Sequence, residues 1–135
     1  MINLLFIPML VYVLWVIVLY VLLTLMRGPK VWGIGLNSDG SNPFTNIELR
    51  TSANLTNQFE LPVLFYALCV VLISRPEFLQ SIYVWLAWVF VVGRILHSVI
   101  QIFTSNVRLR GLVFTVNFVS VIAMWCVLSV ALLGQ

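Results

Sequence analysis

The fold is decided by one uninterrupted apolar stretch, Leu4–Met26, with the sequence LLFIPMLVYVLWVIVLYVLLTLM. A helix needs about 20 mostly apolar residues to cross the hydrocarbon core of a bilayer, and this stretch reaches that length without a charged side chain. It has no basic region before it and no small-residue cleavage site after it. We therefore expect a retained membrane anchor rather than a cleaved signal peptide.

Three further apolar stretches follow along the chain. The second begins in the polar segment Arg50–Gln58 and continues through Leu61–Ile73, the third is Phe78–Ile100, and the fourth is Gly111–Leu133. None of them keeps the period-two alternation of a membrane strand. The pattern predicts an all-α integral membrane protein in which residues 1–135 form a single antiparallel four-helix transmembrane bundle.

The composition excludes several other classes of protein. Of the 135 residues, 62% are hydrophobic and 8% are charged, and the net charge is +3. A soluble domain usually carries about 25% charged residues. A soluble enzyme, a disordered chain, a nucleic-acid binder and a disulfide scaffold are therefore excluded. Cys69 and Cys126 both lie in apolar stretches, where we expect them to be small buried side chains.

The loops between the stretches differ in length and charge. Loop one is Arg27–Leu49, loop two is the tight reversal Ser74–Glu77, and loop three is Thr104–Arg110. Loop two holds only Arg75, whereas loops one and three and their flanks hold five basic residues: Arg27, Lys30, Arg50, Arg108 and Arg110. The positive-inside rule predicts that loops one and three are cytoplasmic and that both termini lie outside.

Three ionisable side chains lie within the apolar stretches, and such residues are functional candidates because they are costly in lipid. They are Glu60, Arg94 and His97. Counted from loop two at 1.5 Å per residue, Glu60 lies about 21 Å along helix two and Arg94 about 22 Å along helix three. We expect a Glu60–Arg94 ion pair, with Asn57 beside His97 one turn closer to the cytoplasm.

Helical spacing places polar side chains on one face of each of these two helices. The two stripes are Arg50, Asn54, Asn57 and Glu60 on helix two and Arg94, His97 and Gln101 on helix three. They converge with Arg27, Arg108 and Arg110 at the predicted cytoplasmic end, which indicates an electropositive pocket for an anionic ligand. No metal site is expected, because one histidine without a nearby cysteine makes a poor ligand set.

Structural interpretations of the same residues stay open. Glu60 and Arg94 are also consistent with a buried pair that only fixes the register of two helices. His97 is also consistent with a hydrogen bond between helices. Arg108 and Arg110 are also consistent with a role in setting topology or in contacting lipid phosphate.

Two motifs resemble the signatures of the MAPEG family, the membrane-associated proteins in eicosanoid and glutathione metabolism. One is NQFELP at Asn57–Pro62, followed by VLFY, and the other is GRILHS at Gly93–Ser98, followed by NVRLR at Asn106–Arg110. Four helices and a large first loop also match this family. The resemblance, to a bacterial-type member, implies a homotrimer of four-helix bundles in a bacterial inner membrane.

The resemblance also implies a chemistry. In characterised members glutathione lies between neighbouring subunits near the cytoplasmic side, and an arginine at the start of helix four activates its thiol. Arg110 takes that catalytic position in this chain. The residues implied to bind glutathione are Arg27, Arg50, Asn57, Glu60, Arg94, His97 and Arg108.

Three positions depart from the glutathione-binding members. Ala53 replaces a second arginine of helix two, and Gln101 and Phe114 replace tyrosines. The resemblance predicts a glutathione transferase or glutathione-dependent peroxidase that acts on lipophilic electrophiles or hydroperoxides. One alternative is a non-catalytic membrane module that binds an anionic lipid or a partner membrane complex. Another is an enzyme that uses a different low-molecular-weight thiol.

Overall fold

A computed structural model of the chain describes residues 1–134 and contains five long α-helices. They are α1 (Ile2–Trp32), α2 (Thr45–Asn57), α3 (Leu61–Ser74), α4 (Ser81–Phe103) and α5 (Val107–Leu133). A short 3-10 turn at Pro76–Phe78 lies between α3 and α4. Together α2 and α3 make the second of four helical segments that are long and apolar enough to cross a membrane. The predicted all-α bundle of four apolar segments is confirmed, with a break in the second.

The bundle is apolar on its outer surface and polar in part of its interior. Large side chains such as Leu25, Trp85 and Phe103 are exposed. Buried polar side chains include Thr51, Asn54, Gln58, Arg94, Ser98 and Asn117. A protein in water places its charged residues outside, whereas a membrane protein turns its polar groups toward the bundle interior. This distribution is the one expected of a multi-pass membrane protein.

Helix α4 lies at the centre of the bundle and packs against α1, α2 and α5. An aromatic cluster fills the core between α1, α3 and α4. Phe65 and Phe90 stack with ring centroids 4.5 Å apart, and the edge of Tyr12 packs against both rings. The hydroxyl of Tyr12 leaves this apolar cluster and donates to Gln58. Tyr12 therefore marks the boundary between the apolar core and the polar interior.

The second membrane segment breaks at residues 58–60 because of Pro62. Proline lacks a backbone N–H and its ring collides with the carbonyl four residues earlier, so it is tolerated only in the first turn of a helix. Here α2 closes with tight bonds from Gln58 N to Leu55 O and from Phe59 N to Thr56 O, both 3.0 Å. Helix α3 then starts with Pro62 in its first turn. Beyond the break α3 packs on α1 and α5, while α2 packs on α1 and α4.

Two of the helix boundaries that differ from the predicted ones have a local cause. Helix α1 continues through Pro29 to Trp32, and it ends where Gly33 adopts the left-handed conformation with φ 67° and its N–H bonds Pro29 O at 2.9 Å. A glycine at this position ends helices readily because it has no Cβ. Helix α5 begins at Val107, since Asn106 Oδ1 accepts from Leu109 N at 3.0 Å and caps it. The residues predicted to lie in loop three, Arg108 and Arg110, are therefore in the first turn of α5.

Candidate functional site

A cavity of about 400 Å³ lies at the end of the bundle where α2, α4 and α5 meet. Its wall consists of Leu49, Arg50, Ala53, Ile100, Gln101, Thr104, Ser105, Asn106, Val107 and Arg110. The charged side chains of this wall are two arginines, with no aspartate or glutamate among the lining residues that the structure describes. The cavity is therefore electropositive and suits an anionic ligand.

Each of the two arginines is positioned by the end of a helix. Arg50, in the middle of α2, donates from Nη1 to Thr104 O at 3.1 Å, which is a carbonyl at the C-terminal end of α4. Arg110 lies in the opening turn of α5, and its N–H bonds Asn106 O at 3.1 Å. The short connection at residues 104–106 thus fixes the side chain of Arg50 and the backbone of Arg110, and both arginines line the same cavity.

A buried network of side-chain hydrogen bonds lies behind the cavity wall. Gln101 Oε1 accepts from Asn54 Nδ2 at 2.9 Å and from Asn57 Nδ2 at 3.2 Å. Gln58 Nε2 donates to Asn54 Oδ1 at 2.9 Å and contacts Ser98 Oγ at 3.2 Å. The network joins α2 to α4, and through Tyr12 and Trp15 it also reaches α1. Lipid offers no hydrogen-bond partners to these polar side chains, and the bonds within the network supply them.

Arg94 closes the broken end of α2. Its Nη2 donates to Asn57 O at 3.0 Å, the carbonyl of the last residue of α2. The break leaves the last carbonyls of α2 without the N–H partners that a continuous helix supplies. A cation at a helix C-terminus also interacts favourably with the helix dipole, by up to about 2 kcal/mol in partly buried sites. The buried guanidinium, 1% exposed, therefore acts as a cap.

The expected Glu60–Arg94 ion pair is wrong. Within residues 1–134 the ion pairs are Arg27–Glu48 and Arg75–Glu77, and Glu60 is exposed at the break as the N-cap of α3. The prediction assumed an unbroken helix, which would have kept Glu60 on the stripe of Asn57. Because residues 58–60 leave helical geometry, Glu60 turns outward.

The other predicted site residues do not line the cavity. Arg27 pairs with Glu48 at 2.9 Å, Arg108 is exposed outside the wall, and Asn57 and Arg94 lie deeper. His97 is buried near the ring of Phe114, at a centroid distance of 6.1 Å, and its Nδ1 has no partner within the described chain. Of the eight predicted residues only Arg50 and Arg110 share the cavity wall.

Several polar residues of the interior were missed by the sequence analysis. Tyr12, Trp15, Gln58 and Ser98 belong to the network, and Asn117 is fully buried against Gly93. Tyr12 and Trp15 lie in an otherwise apolar run, so no pattern distinguishes them from packing residues. Gln58 was the more detectable of these, since it ends the polar segment that leads into the second apolar stretch, and a glutamine buried there needs hydrogen-bond partners.

Three positions of the sequence differ from the glutathione-binding members, and two of these residues line the cavity. Ala53 leaves open space on the α2 side of the wall, and Gln101 is held by two asparagines. Phe114 lies outside the wall, against His97. Among the described residues no group of three histidine, cysteine, aspartate or glutamate side chains could hold a metal ion. The cavity can therefore bind an anion through cationic and amide donors.

Comparison with protein families finds a match to the MAPEG family over residues 5–130. Comparison with curated proteins and with solved structures gives no significant match. The family match extends across all four apolar segments except the outermost residues of the first and last, and it includes every residue of the cavity wall. The chain therefore belongs to the MAPEG family of integral membrane proteins.

Proposed function

We propose that this protein is an integral membrane glutathione transferase or glutathione-dependent peroxidase that acts on lipophilic electrophiles or hydroperoxides. The observation that carries the proposal is the cavity with Arg50 and Arg110 and no lining carboxylate. Its volume lies in the range of small-molecule sites, about 300–1,000 Å³. The MAPEG family includes glutathione transferases and peroxidases, which supports the same chemistry.

The position of the cavity suits a reaction between a polar thiol and an apolar partner. Leu49 and Val107 line it and are 64% and 65% exposed on the outer surface, where the bundle faces lipid. In the proposed orientation this end lies on the cytoplasmic side of a bacterial inner membrane. Glutathione would enter from the cytoplasm and the electrophile from the bilayer, and bringing the two together is itself a large part of the catalysis.

Arg110 supplies the electrostatic part of the proposed mechanism. A thiol is a weak nucleophile until it loses its proton, and a neighbouring guanidinium favours the thiolate. The proton passes to water, and the thiolate attacks the electrophilic carbon. A carbon–sulfur bond forms and the leaving group departs with its electron pair. With a hydroperoxide, two glutathione molecules are oxidised to the disulfide while the hydroperoxide becomes an alcohol and water.

The remaining residues implied by the family resemblance belong to the proposal as well. Arg50 would bind a glutathione carboxylate, and Asn57 and Glu60 would hold its amino end. Glu60 is exposed on a single chain, which supports a site shared with a neighbouring subunit of a homotrimer. Arg27 and Arg108 lie at this end of the bundle, and Arg94 and His97 lie deeper inside it. All four are proposed to contribute to the same binding region.

Titration of glutathione into detergent-solubilised protein tests the proposal, with calorimetry for binding and ultraviolet absorbance for thiolate. We expect saturable binding with a thiolate signal in the wild type. Arg110→Ala should lose the thiolate signal, whereas Arg75→Ala, at the opposite end of the bundle, should keep it. Ala53→Arg should bind glutathione about tenfold more tightly, because one added charge-assisted hydrogen bond contributes about 1.5–3 kcal/mol.

The alternative is a non-catalytic module that binds an anionic lipid or a partner complex. It is favoured by Ala53, which stands in the cavity wall where the glutathione-binding members have a second helix-two arginine. No glutathione binding at millimolar concentration, together with an anionic lipid retained in native mass spectrometry, would replace the proposed function with this one. Binding of a different thiol in the same titration would keep the enzyme class and change its substrate.

A further inference from the structure

Gln101 lies where the buried network reaches the cavity. Its side chain forms part of the wall, and its Oε1 accepts from both Asn54 Nδ2 and Asn57 Nδ2. An amide oxygen has two lone pairs, so these two bonds use its accepting capacity. Only the amide nitrogen of Gln101 is left to interact with a ligand.

The direction of this chain of hydrogen bonds is set by a backbone carbonyl. The oxygen and nitrogen of a side-chain amide are similar in shape, and only their partners distinguish them. Gln58 approaches Asn54 O to 3.1 Å, and a backbone oxygen can only accept, so the approaching atom must be Nε2. The same Nε2 donates to Asn54 Oδ1, which turns Asn54 Nδ2 toward Gln101. Reversing the three amides would leave two acceptors facing each other at the backbone.

The charged groups of the cavity wall are also hydrogen-bond donors. Arg50 and Arg110 have no accepting capacity. Gln101 donates no hydrogen bond within residues 1–134, so its two amide hydrogens add to theirs. A tyrosine hydroxyl at this position would donate or accept, but this glutamine only donates. These three side chains therefore favour an acceptor group of the ligand over an ammonium group.

We propose that Gln101 is a specificity-determining donor, whose Nε2 binds an anionic oxygen of the ligand. The class of ligand is one that presents a carboxylate between Gln101 and the two arginines, as a thiol peptide does. This inference rests on the proposed function for its ligand. Its geometric part, the fixed orientation of the amide, rests on the network alone.

A stability measurement tests the orientation without any ligand. In Gln101→Glu the carboxylate still accepts from Asn54 and Asn57, whereas in Gln101→Met neither asparagine has its acceptor. We expect the Tm of Gln101→Glu to stay close to the wild-type value and that of Gln101→Met to fall by roughly 5 °C or more. An equal fall in both variants would overturn the fixed orientation.

A binding measurement tests the donor role, with glutathione and inorganic phosphate as separate probes in calorimetry. We expect Gln101→Glu and Gln101→Met to weaken binding about tenfold or more. Ser105→Asp, which adds a carboxylate elsewhere on the cavity wall, should weaken binding less than Gln101→Glu. Unchanged affinity in Gln101→Met overturns the donor role and leaves the proposed function standing.

The two probes separate failure of this inference from failure of the proposed function. Wild-type protein that binds phosphate but not glutathione contradicts the proposed function, and the phosphate affinities of the Gln101 variants then decide the donor role. Equal weakening by Gln101→Glu and Ser105→Asp, with Gln101→Met unchanged, shows a general charge effect and overturns the inference. Binding of neither probe overturns both.

Discussion

Substituting Gly93 by alanine should push α4 away from α5. A Cβ at Gly93 would overlap the side-chain oxygen of Asn117, far inside van der Waals contact. Forcing an extra methyl group into a packed core costs about 1–3 kcal/mol. Alanine recovers about 0.5–1 kcal/mol of this, because it is a better helix former than glycine. We therefore expect Gly93→Ala to lower the free energy of unfolding by about 1–2 kcal/mol.

A second substitution identifies the contact that causes the loss. Both polar atoms of Asn117 are buried without a partner in the described structure. Asn117→Ala removes them, which offsets the cost of the smaller side chain, so we expect a change within about 1 kcal/mol. The double variant should recover most of the loss, with a coupling energy of about 1–2 kcal/mol. Glutathione affinity should fall and recover in parallel, since α4 and α5 carry Gln101 and Arg110.

The assay is unfolding in mixed micelles by increasing detergent denaturant, followed by circular dichroism. Gly111→Ala is the matched control, because it lies within α5 and, apart from its chain neighbours and its own helix backbone, no atom lies within 4 Å of the added Cβ. It should be neutral or stabilising by up to about 1 kcal/mol. If Gly93→Ala is as stable as Gly111→Ala, the close approach of α4 and α5 at Asn117 does not exist and the reasoning is refuted.

Two further predictions follow from the break and from loop one. Because Glu60 is exposed and unpaired with Arg94 in the described chain, Glu60→Gln should change the unfolding free energy by less than about 0.5 kcal/mol. If Glu60→Gln instead lowers the unfolding free energy by about 3–5 kcal/mol, as expected when one partner of a buried ion pair is removed, the Glu60–Arg94 ion pair exists and this prediction is wrong. Hydrogen bonds from the hydroxyl and N–H of Ser41 hold the pKa of Asp39 below its ordinary value of 3.8. The stabilisation is present above that value and is lost as pH falls through the lowered pKa, so exchange protection of the Ser41 amide should drop only in that acid range. Constant exchange protection of the Ser41 amide across that acid range would contradict the link to the Asp39 carboxylate.

The sequence was sufficient for the four apolar segments and for the polar stripes on unbroken helix. Length and hydropathy decide the apolar segments. Helical spacing correctly put Asn54 and Asn57 on a stripe that faces the stripe of Gln101, although Asn57 was expected beside His97 and its amide instead bonds Gln101. The ends were less predictable. Arg27-Gly-Pro-Lys30 contains a helix breaker, yet α1 passes through it and stops only at Gly33. Losing one hydrogen bond at Pro29 is tolerated near a helix end.

The candidate site was predictable in composition but not in geometry. Arg50 and Arg110 were expected at one end of the bundle, and they share a cavity wall. Depth counting placed Glu60 beside Arg94 because it assigned every residue a rise of 1.5 Å. Residues 58–60 do not follow that rise. Side chains beyond a break cannot be positioned from spacing alone, because the direction of the next helix is set by its packing partners.

Pro62 and Arg94 are best understood as two parts of one structural solution. Proline breaks the second membrane segment and leaves carbonyls of α2 open in a region where water cannot satisfy them. Gln58 Nε2 covers Asn54 O at 3.1 Å and Arg94 Nη2 covers Asn57 O at 3.0 Å. The buried charge of Arg94, which the sequence analysis assigned to an ion pair with Glu60, is thus explained by its bond to the C-terminal end of α2. Since Gln58 also orients the amide of Asn54, which in turn donates to Gln101, the break that defeated the depth estimate also contributes to the orientation of Gln101 in the cavity wall.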